Sequence, residues 1–368
     1  MIKTYRYRVK DAATGTRNAL RSQARAVNFI WNFCAQTDRE SVRRWRGGAN
    51  IKRPSAFDLG SLCRGITKEL GIHSDTIDAI CGKFADARNA CFPKTPRFRS
   101  HKRNLDFIPF SNFARNAKLE ARGLTVRGRT YRLWQSRPIP KDGMPKSWEF
   151  STDARGRWYV NIQVELPEPE VRKGDAVGID LGLKDLATLS TGEKIAAPRI
   201  YRAEERRLAL FQSRGQKSRA RALSAKIANR RKHFLHVATT QIVRRFAQIY
   251  VGDVNARKLM QTNMAKSVSD AGWTMFRNML SYKAIALGGR CEVVSENMTT
   301  QTCSCCGSLS SSTKPKGIGG LGIRHWACSD CGTSHDRDVN AAKNILRVGL
   351  ERQPLGEEIS VRSRRGRR

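Results

Sequence analysis

The sequence predicts a β-rich domain interrupted by a helical unit, followed by an α/β domain that carries a small metal-stabilised insertion. Three observations predict this order. Residues 15 to 92 place apolar side chains at helical spacing, residues 93 to 167 alternate apolar and polar side chains in short runs, and residues 171 to 350 set apolar strands between long helices around two Cys-x-x-Cys pairs.

Taken in order, residues 2 to 9 read as a strand, and Leu20, Ala24, Val27, Trp31 and Cys34 recur on one face of a first helix. Pro54 and Ser55 open a second helix carrying Leu59, Leu62, Cys63, Ile66 and Leu70, with Gly71 placed to end it. Ser74 is placed to cap a third, with Ile77, Ile80, Cys81 and Phe84 facing inward. Strand and turn signals then run from Pro96 to Leu166. The clearest is a hairpin in which Trp148 and Phe150 precede a turn at Asp153 to Gly156, and Trp158, Val160, Ile162, Val164 and Leu166 alternate with polar residues after it. Arg97, Arg99, Lys102 and Arg103 interleave there with Phe98 and His101, a composition suited to phosphate contacts and base stacking. A solvated basic face is the plainer alternative.

The segment Glu165 to Val171 is a linker by its prolines and acids. Beyond it, DAVGIDLGLKDLATLSTGEKI predicts two strands with a tight turn at Ser190 to Gly192. A helical stretch over about 200 to 247 carries Arg206, Arg207, Arg214, Lys217, Arg219, Arg221, Lys226, Arg230, Arg231 and Lys232, with two acids near its start. Like charge at this density repels itself, so these helices are expected to lie against a phosphate backbone. Residues 248 to 253 and 291 to 296 read as parallel strands joined by a helix over about Ala265 to Leu287. Residues 351 to 368 end in SVRSRRGRR, a basic tail expected to be disordered.

The balance of 69 Lys and Arg against 32 Asp and Glu gives a formal charge of +37, which points to a polyanionic partner. Membrane binding fits less well, because no apolar run approaches the roughly 18 residues needed to span a bilayer. The opening MIKTYRYRVK alternates charged and apolar residues and lacks the apolar core of a secretory signal, so a cytoplasmic, nucleoid-associated protein is expected. In a reducing compartment the ten cysteines imply a metal site plus buried thiols.

Cys303 and Cys306 form one Cys-x-x-Cys pair and Cys328 and Cys331 the other, the spacing of a two-knuckle tetrahedral zinc site. Four thiolates leave no open coordination position, so the role is structural. Cys305 is an extra thiol inside the first knuckle, adjacent to Cys306 and so unable to form the usual pair with it.

Two aspartates stand at places where a carboxylate can face an open site. Asp180 ends the apolar strand Ala176-Val177-Gly178-Ile179 and precedes Leu181-Gly182. Asp338 begins the helical segment DVNAAKNIL, two residues after Asp336, where its residue type alone favours an N-cap. Together, GIDLGLKDLATLSTG, TTQTC with its paired Cys-x-x-Cys, and HDRDVNAAKNIL, in this order, resemble the RuvC motifs of the TnpB family and of the related type V CRISPR effectors. The resemblance is strong over about 171 to 350 and looser over the N-terminal half.

The resemblance implies a split RNase H-like (RuvC) domain at 171–301 and 333–350, with a zinc ribbon inserted at 302–332. Ahead of it the resemblance implies a β-barrel wedge domain at 1–14 and 93–167, interrupted by a helical recognition unit at 15–92. It further implies a guide RNA transcribed from the transposon end, a double-stranded DNA target, and cutting by two Mg²⁺ (or Mn²⁺) ions held by carboxylates, with Zn²⁺ in the ribbon. Asp180 matches the first catalytic Asp and Asp338 the last. At the middle motif the sequence departs from the family, because Gly252 stands where a catalytic Glu is usual. Either another carboxylate replaces it or the chain is a nuclease-dead RNA-guided DNA-binding repressor. A strand transferase is a further alternative, disfavoured by the ribbon's position. The replacement expected is Glu296, at the same strand edge as Asp180. Asp253 is expected on the opposite face, and Glu292 lies roughly 13 Å back along the strand.

Overall fold

The computed structural model of the chain describes residues 1–10, 14–102, 104–254, 261, 265–309 and 322–351. It divides into two compact units, Met1–Pro167 and Glu168–Arg368. Arg103 and the tail from 352 lie outside the described residues.

The first unit runs β1 (Ile2–Val9), α1 (Thr14–Arg46), α2 (Ala56–Cys63), a 3-10 turn, α3 (Thr67–Leu70), α4 (Ser74–Ala90), β2 (Phe107–Phe110), α5 (Phe113–Asn116), β3 (Ala117–Glu120), β4 (Gly123–Val126), β5 (Arg129–Tyr131), β6 (Leu133–Trp134), β7 (Met144–Thr152) and β8 (Trp158–Glu165). The hairpin expected around Asp153 is present as β7 and β8, and its alternating Trp148, Phe150, Trp158, Val160 and Ile162 are all buried. Hydrogen bonding gives an open five-stranded antiparallel order, β2-β7-β8-β1-β6, with a separate β3-β4-β5 sheet, rather than one closed barrel. The expected second helix is broken into α2, the 3-10 turn and α3. Ser55 caps α2 in a capping box with Asp58, and Gly71 ends α3 in the left-handed conformation. The cap of α4 is His73, whose ring accepts from the Asp75 N–H, and Ser74 is the first helical residue.

The second unit runs β9 (Ala176–Leu181), β10 (Asp185–Leu189), β11 (Lys194–Ala196), α6 (Ile200–Ser213), α7 (Lys217–Arg245), β12 (Gln248–Gly252), α8 (Ala265–Ala271), α9 (Trp273–Ala286), β13 (Arg290–Val294), β14 (His325–Ala327), β15 (Ser334–Asp336) and α10 (Arg337–Glu351). Three strands stand where two were expected before the helices, because the chain also turns back at Gly182 to Lys184. The sheet order is β11-β10-β9-β12-β13, with β9, β12 and β13 mutually parallel and β10 antiparallel to its neighbours. The helix expected over 265 to 287 is two, separated at Gly272, whose φ of +68° suits glycine.

One core joins Val177, Ile179, Ile249 and Val251 of the strands to Leu235 and Ile242 of α7 and Phe276 and Leu280 of α9. Tyr250 and Val294 instead pack on Ile345 of α10. This helix approaches the sheet so closely that a Cβ at Gly178 would come within 2.6 Å of the Leu346 nitrogen. The glycine before Ile179-Asp180 is therefore a packing requirement. It lets the helix bearing Asp338 lie on the strand bearing Asp180. No helix among the described residues is long and apolar enough to cross a membrane.

Candidate functional site

Asp180 is half-buried near the C-terminal end of β9, opposite Thr188 of β10. On its other side β12 runs parallel in the register Val251↔Ile179, so Gly252 and Asp180 are neighbours at one sheet edge. β13 continues the edge with Gly252↔Val294 and ends there, two residues earlier than expected. Glu296 therefore belongs to the loop after the strand, and its side chain turns back over Gly252. A Cβ at 252 would lie 2.5 Å from the Glu296 Cγ and 2.6 Å from its Cδ, and would collide with Oε1 as well. The Glu296 side chain thus fills the space that a side chain on β12 would take.

Burial and the nearby charge of Asp253 push the Glu296 carboxyl up to about 7, against a hydrogen bond from the Val254 N–H and the charge of Arg277. Its Oε1 is buried without a hydrogen-bond partner. A buried carboxylate oxygen without a donor is unfavourable unless a cation or proton takes that place. Asp180 is held well above the usual carboxylate range by burial, by Glu296 and by Asp338, and Arg337 opposes this. Glu296 and Asp338 thus both act on Asp180.

Asp338 lies in the first turn of α10, but it is not the cap. Asp336 caps the helix, its Oδ1 accepting from the N–H groups of Asp338 at 3.1 Å and Val339 at 3.0 Å. This frees the Asp338 carboxylate, which accepts from Arg324 Nη1 at 3.0 Å and from Arg337 Nε at 3.3 Å. Among the described residues only two thiol clusters bring three or more metal-ligating atoms within 4.8 Å of one another, so the carboxylates stand further apart than that. Oxygen donors, an orphaned carboxylate oxygen and the raised proton affinity of Asp180 and Glu296 fit hard divalent cations. A pair of ions about 4 Å apart suits the wider spacing.

Asp253 is exposed, as expected of a residue outside the site, yet it is not idle: its Oδ1 accepts the Glu296 backbone N–H at 3.0 Å. Glu292 is exposed and lies 3.9 Å from Arg290. Asn340 and Asn344, one turn apart on α10 and buried, both donate to the carbonyls of Thr299 and Thr302. They tie the helix of Asp338 to the turn that follows Glu296. Residue type alone gave no sign of this, though two asparagines at i and i+4 on an otherwise apolar face were the available signal.

The four ribbon cysteines converge. Cys303 and Cys331 Sγ are 3.6 Å apart, Cys306 and Cys328 Sγ are 3.7 Å apart, and all four lie within 4.8 Å of one another. Sulfurs about 2.3 Å from a tetrahedral zinc ion form edges of about 3.8 Å, so the set fits zinc. Each knuckle ends in a glycine at positive φ, Gly307 and Gly332, whose N–H donates to the carbonyl of Cys303 or Cys328 at 2.9 Å. The Thr333 hydroxyl and N–H pull the Cys331 thiol down to about 6. His335 Nε2 lies 3.0 Å from the Cys303 sulfur. Cys305 is exposed and outside the cluster.

The basic residues separate. Arg206, Arg207, Arg214, Lys217, Arg221 and Arg230 are exposed along α6 and α7, as are Arg97 and Lys102 in the first unit. Arg231 is instead ion-paired to the buried Asp270 at 3.2 Å. Arg99 is half-buried and donates to Asn28 and Leu105, its guanidinium over the Phe107 ring at 4.4 Å. These two side chains hold the fold. Missed by sequence reasoning, a cavity of about 520 Å³ is lined by Lys184, Arg199, Arg202 and Arg324, the last of which reaches Asp338.

Comparison with known proteins places these features in context. Residues 159–263 match a family model described as "Probable transposase" (OrfB_IS605), and residues 273–345 match one described as "Cas12f1-like, TNB domain". A Streptomyces pristinaespiralis protein named "Putative RNA-guided DNA endonuclease" is 36% identical over 290 residues, covering 72% of this chain and 68% of that protein. Escherichia coli K12 InsQ, with the same description, is 27% identical over 55% of this chain and 57% of that protein. A chain of the Cas12f1–sgRNA–target DNA complex matches over 94% of this chain and 99% of its own length, at 15% identity and a TM-score of 0.37.

Proposed function

The chain belongs to the TnpB family, and from that premise we propose that it is a transposon-encoded, RNA-guided DNA endonuclease whose catalytic carboxylates are Asp180, Glu296 and Asp338. The observation that carries the reading is the position of Glu296. Its carboxylate fills the place of the missing side chain at 252 beside Asp180, with one oxygen buried and unpartnered. A repressor with an inert site would have no need of a buried, charge-raised cluster of acids. The strand order, with one antiparallel strand between parallel ones, supports the RNase H-like reading of the second unit. The open sheet and helices of the first unit are compatible with a wedge interrupted by a recognition insertion.

In this reading Asp180, Glu296 and Asp338 would hold two Mg²⁺ or Mn²⁺ ions, which when bound would supply Lewis acidity for activating a water and for stabilising the leaving oxygen of a phosphodiester. The rest is the protein's work. Asp253 and Val254 fix the backbone and side chain of Glu296. Asp336 caps α10 and so aims Asp338. Arg324 and Arg337 counter the Asp338 charge, and Lys184, Arg199 and Arg202 line a cavity fitted to a phosphate strand. The exposed cations of α6 and α7 provide charge for guide RNA and target DNA, and Cys303, Cys306, Cys328 and Cys331 would hold the zinc of the ribbon that leads directly into α10.

The test is cleavage of a duplex matched to the copurified guide RNA, with Mg²⁺, beside a separate measurement of guide-dependent binding. Glu296→Gln keeps shape and removes charge, and is expected to lose at least about 10²-fold in cleavage with binding preserved. Glu292→Gln should cut normally. Asp253→Asn keeps an acceptor for the Glu296 N–H and should retain most activity. Full activity in Glu296→Gln would remove it from the site, and a wild type inert with its own guide and metal would establish the repressor alternative.

A further inference from the structure

Outside the ribbon, three cysteines from three different helices meet in the first unit. Cys34 lies in the middle of α1, Cys63 ends α2 and Cys81 lies within α4, and all three are fully buried. Each follows an inward apolar residue by one turn, Ile30, Leu59 and Ile77 respectively, so helical periodicity brings them to one point in the core. Their sulfurs lie within 4.8 Å of one another, and Cys34 Sγ is 3.9 Å from Cys81 Sγ.

We propose that Cys34, Cys63 and Cys81 form a second metal site, a three-sulfur staple for a soft d¹⁰ cation within the helical unit. Three sulfurs about 2.3 Å from one trigonal ion stand about 4.0 Å apart, and the Cys34–Cys81 separation of 3.9 Å and the 4.8 Å bound on the other two are close to that spacing. Thiolates select soft cations, and this set contains no oxygen or imidazole donor. Asp78, one turn before Cys81, is exposed and does not close a fourth position. Three sulfurs without a fourth ligand favour three-coordinate geometry over the tetrahedral zinc of the ribbon. Binding replaces each S–H bond by a sulfur–metal bond and releases the protons to solvent.

The staple would join α2 to α1 and α4. α2 has only eight residues, too few to be stable alone, and it is followed at once by a 3-10 turn. Metal at its last residue would fix the α2 end against the two longer helices. The proposal is independent of nuclease activity, so its failure leaves the function reading intact.

The test uses Cd²⁺ as the probe, supplied to cells during expression so that the buried site fills as the full chain folds. Cadmium per chain is measured by elemental analysis and its ligands by ¹¹³Cd NMR. Two cadmium ions per chain are expected, with one four-sulfur and one three-sulfur resonance. Cys63→Ser should lose one ion and the three-sulfur resonance only, and Cys306→Ser with Cys331→Ser should lose the other. Where Cys63→Ser fails to fold, Cys63→Ala and the wild-type spectrum decide the matter. One cadmium per chain in the wild type, or a second ion that persists in the Cys63 variants, would show an ordinary core of packed thiols.

Discussion

Replacing Gly252 with alanine places a methyl group where the Glu296 side chain lies. The new Cβ would stand 2.5 Å from Cγ and 2.6 Å from Cδ, against carbon–carbon contacts of about 3.5 to 4.0 Å. Glu296 must therefore move by about 1 Å or more. Its backbone is restrained by the Asp253 hydrogen bond and the turn through Thr299, so the side chain takes most of the shift. Misplacement by about 1 Å reduces rate by about 10²-fold, and overpacking at this depth destabilises by about 1 to 3 kcal/mol. Guide-dependent cleavage and thermal unfolding measure the two effects. The decisive partner is the exchange Gly252→Glu with Glu296→Gly, which returns the carboxylate to β12 and removes the side chain that fills its place. It should recover at least tenfold of the activity lost by Glu296→Gly alone. Wild-type cleavage by Gly252→Ala, or no recovery in the exchange, would refute the idea that one space serves either residue.

Two other outcomes follow from the same geometry. An unfolded glutamate ionises near 4.5 while burial keeps Glu296 neutral up to about 7, so this group opposes folding above pH 7 and the opposition fades as pH falls toward 4.5. The gap corresponds to at most about 3.4 kcal/mol. Metal-free Glu296→Gln should be more stable than wild type at pH 8, an advantage that disappears near pH 4, and cleavage at limiting Mg²⁺ should decline as pH drops through 7. Equal stabilities at both pH values in denaturant titrations would count against a strained carboxylate. In the ribbon, Cys303→Ser should lose one zinc per chain by elemental analysis and at least about 10²-fold in cleavage, because β15 runs without a loop into α10 and Asp338. Undiminished cleavage without that zinc would separate the ribbon from the site.

The parts that the sequence by itself determined are those set by short-range pattern. Period-2 alternation marks β7 and β8, and each Cys-x-x-Cys spacing marks a knuckle, closed by a glycine at positive φ one residue after the second cysteine. Helical spacing turned Ile77, Ile80, Cys81 and Phe84 inward, as found. Asp180 and Asp338 were visible through the order of motifs around them. What only the tertiary structure decided involves residues far apart in the chain. Residue type could not tell which aspartate caps α10, since Asp336 and Asp338 are chemically alike and only the helix start separates them. Nor could charge alone distinguish Arg231, bound to Asp270 39 positions away, from the exposed arginines beside it. Gly252 reads in sequence as a missing catalytic residue. In three dimensions it is the space that admits Glu296, because a parallel strand 42 positions later ends at the same edge and a carboxylate can reach one place from either backbone.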